Sequence, residues 1–120
     1  MWVFTRDGFF STVWDQYCAA DEVMVRARCR EDLCRLSKKL RGFCDPEKIL
    51  EIPYADYRFR LKISRHEWSE YLARCALEID YANVKQGIVD EADRQRKRAY
   101  HGVWQTLYRW QSQQEGDVFK

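Results

Sequence analysis

Three features of this sequence predict an α+β fold, a mostly antiparallel four-stranded sheet with helices packed on one face. Two short segments alternate apolar and basic residues at strand period. An aromatic hairpin opens the chain. From residue 31 onward, apolar residues recur at helical spacing in several segments. The expected element order is β-β-β-α-β-α-α-α.

The alternating segments are Val23-Met24-Val25-Arg26-Ala27-Arg28-Cys29 and Tyr57-Arg58-Phe59-Arg60-Leu61-Lys62-Ile63. Successive strand residues point to opposite faces, so one face should collect Val23, Val25, Ala27, Cys29, Tyr57, Phe59, Leu61 and Ile63. The other should collect Arg26, Arg28, Arg58, Arg60 and Lys62, a cationic plate if the strands are neighbours. Like charges directly opposite destabilise a sheet, which suggests that something anionic covers such a plate. The plainer reading is an exposed face solvated by Arg and Lys, their methylene stems shielding it.

In chain order, Trp2-Val3-Phe4-Thr5 and Phe9 to Trp14 flank Asp7-Gly8, which suits a two-residue hairpin turn. That turn opposes Thr5 to Phe10, Val3 to Thr12 and Trp2 to Val13. It places Trp2, Phe4, Phe9 and Val13 on one face and Met1, Val3, Phe10 and Trp14 on the other. A loop over 16–22 leads to a strand over 22–29. A helix over 31–41 follows, with Leu33, Leu36 and Leu40 at core spacing and Gly42 at C′. Asp45-Pro46-Glu47 reads as a cap with Pro at the first helical position, opening a turn that runs to Leu50. Pro53 ends it, and a strand occupies 56–63.

Ser64 and Glu67 form a capping box ahead of the stripe Trp68, Tyr71, Leu72, Cys75 and Ile79. Residues 81–89 read as helical with Val84 and Ile88 inward, weakened by Gly87. The last helix is expected over 91–113, with Ala99, Val103, Leu107 and Trp110, broadened by Tyr100, Trp104 and Tyr108. Residues 1–113 then form one domain and 114–120 a polar tail.

The 120 residues suffice for one core, and an aromatic fraction of 15% supplies it amply. The formal net charge is only +2, so any affinity for nucleic acid has to come from local patches. Cys18, Cys29, Cys34, Cys44 and Cys75 are odd in number and form no CxxC pair, which points to reduced structural thiols of a cytoplasmic protein. The opening residues do not form a signal peptide, and no apolar run reaches membrane-span length, so no membrane partner is expected.

A second basic cluster, Arg94, Arg96, Lys97 and Arg98, follows Asp90, Glu91 and Asp93. Arg94 can pair with Asp90 at helical spacing, so a self-neutralised helix face is the better reading. His66 and His101 lie far apart in sequence, with no nucleophile elbow near Cys75 or Cys34. No metal-ligand spacing and no phosphate-cradling glycine motif occurs. Neither a cofactor, a metal nor an enzymatic activity is therefore expected.

The blocks Met-Trp-Val-Phe-Thr-Arg-Asp-Gly-Phe-Phe-Ser, Val-Arg-Ala-Arg-Cys-Arg-Glu-Asp-Leu and Leu-Glu-Ile-Asp-Tyr-Ala-Asn-Val-Lys resemble a family of small uncharacterised bacterial proteins. That family shares a start of the form MW-[VI]-FT-x-DGF, an RAR-x-RED-L stretch and an IDY-x-N block. The likeness spans nearly the whole chain and implies no activity. In size and character the chain is also similar to phage-encoded anti-defence inhibitors such as anti-CRISPR proteins.

The function expected is a non-enzymatic interaction protein that binds an acidic or nucleoprotein partner. Its candidate surface is Arg26, Arg28, Arg58, Arg60 and Lys62 beside Trp2 and Phe4, with Arg94, Arg96, Lys97 and Arg98 as a second basic cluster. A phage-type anti-defence inhibitor is its concrete version. The alternatives are direct binding of single-stranded nucleic acid through the same face and a thiol enzyme using Cys75 or His66. Exposed hairpin aromatics would equally serve a homodimer.

Overall fold

A computed structural model of the chain describes residues 1–42, 44–87 and 93–118. The fold is α+β. Strands β1 (Trp2–Thr5), β2 (Gly8–Val13), β3 (Glu22–Ala27), β4 (Leu50–Glu51) and β5 (Phe59–Ser64) form one antiparallel sheet in the order β1-β2-β3-β5-β4. The α-helices are α1 (Arg30–Lys39), α2 (Arg65–Leu77) and α3 (Arg94–Val118). The chain divides into two compact units, Met1–Ile88 and Val89–Lys120, so α3 is described by itself. No described helix is long and apolar enough to cross a membrane.

The sheet has five strands where four were expected. The additional one, β4, is two residues long and followed by Pro53, too short to show a period-two pattern. It pairs Leu50 with Arg60 and Glu51 with Phe59 at the sheet edge.

One face of the sheet carries the core. Phe10, Val23, Val25, Ala27, Leu61 and Ile63 pack against Leu33, Leu36 and Leu40 of and beyond α1 and against Trp68 and Tyr71 of α2. Phe10 meets the Trp68 and Tyr71 rings edge-on at 6.2 Å, an arrangement that aromatic quadrupoles favour. Helix α1 opens with Glu31 and Asp32 and closes with Lys38 and Lys39, charges that oppose its dipole. The Ser64 cap holds as read: its hydroxyl accepts from the Glu67 N–H at 3.0 Å. The Asp45 cap holds too, but its 3₁₀ turn spans only Pro46–Lys48.

Several local expectations are corrected. The hairpin turn is Arg6-Asp7, not Asp7-Gly8, and the register pairs Trp2 with Ser11, Val3 with Phe10, Phe4 with Phe9 and Thr5 with Gly8. The slip is two residues, which preserves every face assignment because side chains alternate with period two. Its cause is local. The Asp7 side chain is drawn inward, and Gly8 adopts φ +148° directly against Asp32, whose carboxylate would lie 2.2 Å from an added Cβ.

Helix α1 ends in extended Leu40, and Gly42 does not take the left-handed C′ conformation. Cys29 leaves the core face because β3 stops at Ala27, and its exposed side chain stands at the start of α1. Ile79 lies beyond the end of α2 and is exposed. Within 81–89 the described helical segment is a 3₁₀ turn over Val84–Gly87, and Ile88 and Val89 lie outside the described residues. Helix α3 runs on through 114–118, where a polar tail was expected, while positions 91 and 92 lie outside the described residues.

Candidate functional site

The antiparallel register of β3 and β5 builds the basic face. It places Arg26 directly opposite Arg60 and Met24 opposite Lys62, on the face away from α1 and α2. Two facing guanidiniums would repel, and the structure turns them apart. Arg26 donates to Ser11 Oγ at 2.7 Å and to Ser11 O at 3.3 Å, on the β2 side. Arg60 turns toward the loop before β5, 3.7 Å from the Asp56 carboxylate.

Tyr57 organises the centre of this face, contrary to its expected place in the core. The chain bends at Tyr57 and regular strand begins only at Phe59, so the alternation is broken and the ring swings to the basic side. There the guanidinium carbons of Arg26 and Arg28 lie 4.5 and 4.3 Å from its centroid, within cation–π range. Tyr57 is only 4% exposed as a result. Arg28 also donates to Asp56 O at 2.8 Å.

The aromatic row continues into the hairpin. Phe9 lies 6.5 Å from Tyr57, stacks on Phe4 at 4.6 Å and meets Trp2 edge-on at 6.0 Å. Trp2 is 70% exposed at the end of the row. Beyond the basic centre, Arg58 pairs with Glu51 at 2.6 Å and Lys62 donates to Tyr17 O at 3.1 Å. A groove of about 680 Å³ runs beside them, lined by Tyr17, Met24, Leu50, Ile52, Arg60 and Lys62 among others.

The predicted sheet residues Arg26, Arg28, Arg58, Arg60, Lys62, Trp2 and Phe4 thus belong to one sheet and its flanking loops. Phe9 and Tyr57 join them. The five bases are held by internal contacts, and among the described residues the carboxylates of Glu51 and Asp56 pair with Arg58 and Arg60. Glu22 stands on the same face of β3 as Met24 and Arg26, and Asp15 and Glu22 line the groove with Lys48, Arg60 and Lys62.

Arg94, Arg96, Lys97 and Arg98 stand on α3, in the second unit. The expected partner of Arg94, Asp90, lies outside the described residues. Asp93 caps the helix instead, accepting from the Arg96 N–H at 2.9 Å and from its guanidinium at 3.3 Å. Arg96 reaches on to the Tyr100 hydroxyl at 3.0 Å.

A second charged constellation was not anticipated. Asp7 and Asp32 are each 2% exposed. Asp7 accepts from the Tyr71 hydroxyl at 2.7 Å and pairs with Lys39 at 2.8 Å, while Tyr71 lies 2.8 Å from Thr5 Oγ1. Asp32 pairs with Arg35 at 2.6 Å and accepts from the Phe9 N–H at 3.3 Å, and Arg35 also donates to Asp7 O at 2.9 Å. These contacts tie the hairpin turn to both helices of the first unit. Only Gly8, with no Cβ, signals such close approach in the sequence.

The thiol in this cluster is shifted away from its thiolate form. Burial pushes the Cys75 thiol upward, with Asp7 adding to the effect. Burial likewise raises Cys44 and drives Tyr71 above its ordinary range. A raised thiol pKa keeps the sulfur protonated at neutral pH, the opposite of activation. His66 contacts Glu70 at 3.0 Å on the exposed side of α2. Among the described residues no His, Cys, Asp and Glu group is placed to hold a metal ion. The chain matches no protein-family model, no curated protein and no solved structure.

Proposed function

We propose that this chain is a non-enzymatic interaction protein whose open sheet face engages an acidic or nucleoprotein partner. The observation that carries the reading is the Arg26–Tyr57–Arg28 stack, continuous with Phe9, Phe4 and exposed Trp2 and flanked by Arg58, Arg60 and Lys62. Helices α1 and α2 cover the other face. Fixed guanidiniums and rigid aromatics recognise an anionic surface with little ordering cost. A phage-type anti-defence inhibitor acting in the cytoplasm, occupying the nucleic-acid or partner surface of a host complex, is the concrete form of this reading. The test is capture from a bacterial lysate, with and without nuclease, by wild type and by Arg58→Glu/Arg60→Glu. The proposal expects discrete proteins that survive nuclease and disappear with the variant. Equal capture by both proteins would contradict it.

One observation favours a second reading, direct binding of single-stranded nucleic acid. Trp2 presents an exposed ring at the end of an aromatic row beside two guanidiniums, an arrangement on which bases can stack. That reading expects oligonucleotide affinity that falls steeply with salt and with Trp2→Ala. No oligonucleotide binding at low salt would remove it.

A further inference from the structure

The strongest unassigned surface lies on α3, in the second unit. Val103, Trp104, Leu107, Tyr108 and Trp110 form one stripe along the helix, each between 37% and 57% exposed. At 3.6 residues per turn these positions fall on a single face. His101, Trp104 and Tyr108 stack in succession, with centroids 5.6 and 5.3 Å apart and interplanar angles of 15° and 11°. The stripe is thus a preformed aromatic ladder presented on a rigid helix. Such a concentration of exposed aromatic surface marks an interface.

The charges along the helix indicate the occupant. Arg94, Arg96, Lys97 and Arg98 make the first turns basic, whereas residues 111–118 contain two acids and no base. Lys97 and Glu115 flank the stripe on the same side, 18 positions apart, which is five helical turns. A twofold axis at Thr106 pairs residue i with residue 212 − i of an antiparallel second copy. That register seats Trp104 on the partner's Tyr108 and brings Lys97 against the partner's Glu115. The partner's Lys97 meets Glu115 by the same symmetry. A parallel pairing would instead set base against base at one end and acid against acid at the other.

We infer that α3 is a self-association element, which pairs antiparallel with α3 of a second copy through the Trp104 and Tyr108 edge of the stripe, about a twofold at the level of Thr106. This surface is independent of the sheet face, and neither reading requires the other. The test is sedimentation equilibrium of the full chain up to about 100 µM, where even a weak homodimer is populated. The expected result is a dimer. Trp104→Ala/Tyr108→Ala, with helicity checked by circular dichroism, should weaken it by about 100-fold or more, because central aromatics dominate such interfaces. Glu115→Lys alone should weaken it by about 2- to 10-fold, and Lys97→Glu/Glu115→Lys should restore it. A wild type that stays monomeric at about 100 µM overturns the inference. So does a dimer indifferent to the aromatic variant. A double reversal no better than Glu115→Lys alone overturns the antiparallel seating without depending on how the aromatic variant folds.

Discussion

The hairpin turn and the open sheet face are both crowded with charge, and they treat it in opposite ways. At the turn, Asp7 and Asp32 are buried and each meets several donors from α1, α2 or the hairpin backbone. On the open face and at its β4 edge, Arg26, Arg28, Arg58, Arg60 and Lys62 also have partners, but many are backbone carbonyls or ring faces, and the cations keep a path to solvent. A buried charge with complete hydrogen bonding specifies structure, because any partner removed strands another. An exposed charge held by neutral groups contributes little to stability and keeps its field for a ligand. The difference predicts where substitutions will act on folding and where they will act on binding.

The largest effects belong at the turn. Gly8→Ala would drive a Cβ into the Asp32 carboxylate at a positive φ. Asp7→Ala would leave Tyr71 and Lys39 without their common acceptor. Each should cost about 2–4 kcal/mol, less than a fully buried ion pair would lose because Lys39 reaches solvent. Thermal or urea unfolding measures this directly, and a loss below about 0.5 kcal/mol for both, the ordinary range for surface substitutions, would dissolve the contrast.

Tyr71→Phe comes next, at about 1–2 kcal/mol, since Asp7 and Thr5 lose the hydroxyl that joins them. The same site gives a pH signature. The protonated forms of Tyr71 and Cys75 are favoured in the folded state, both raised mainly by burial, from ordinary values of 10.0 and 9.0. Above those values the unfolded chain ionises while the folded one holds its protons. The stability is therefore complete below pH 9 and lost as pH rises further. Melting curves taken from neutral to alkaline pH should show a steep decline, shallower in Tyr71→Phe and in Cys75→Ala. An unchanged slope in both would show that neither group is protected as the geometry implies.

On the open face the order reverses. Arg58→Glu/Arg60→Glu should change stability by about 1 kcal/mol or less, since both side chains make partly exposed pairs. Its effect on partner capture should be near-complete. Trp2→Ala should alter stability least, because the ring is mostly exposed. If bases stack there, it should weaken oligonucleotide binding by about 1–3 kcal/mol, which a fluorescence titration resolves.

Much of this was legible in the sequence, for reasons the two regions illustrate. The period-two alternation of β3 and β5 set Arg26, Arg60 and Lys62 on one side, and a register slip of two in the hairpin left its faces intact. The Ser64 and Asp45 caps were readable because capping depends on residues three positions apart or fewer. Tyr57 was misplaced because a bend before β5 interrupts the alternation, and a period carries no record of where it is broken. The burial of Asp7 and Asp32 was not legible, because an isolated acid beside a turn or in a first helical turn ordinarily faces water. Their burial depends on Lys39, Arg35 and Tyr71, which lie between 3 and 64 residues away in sequence. Long-range partners of that kind leave no local pattern.

The central claim, that the sheet face rather than the helix cations engages the partner, has a direct test. Capture and thermal melting would be measured side by side for wild type, Arg58→Glu/Arg60→Glu on the sheet and Arg94→Glu/Arg98→Glu on α3. The account predicts that the sheet variant loses its partner with its melting temperature nearly unchanged, while the helix variant retains the partner. Loss with the helix variant and retention with the sheet variant would contradict it.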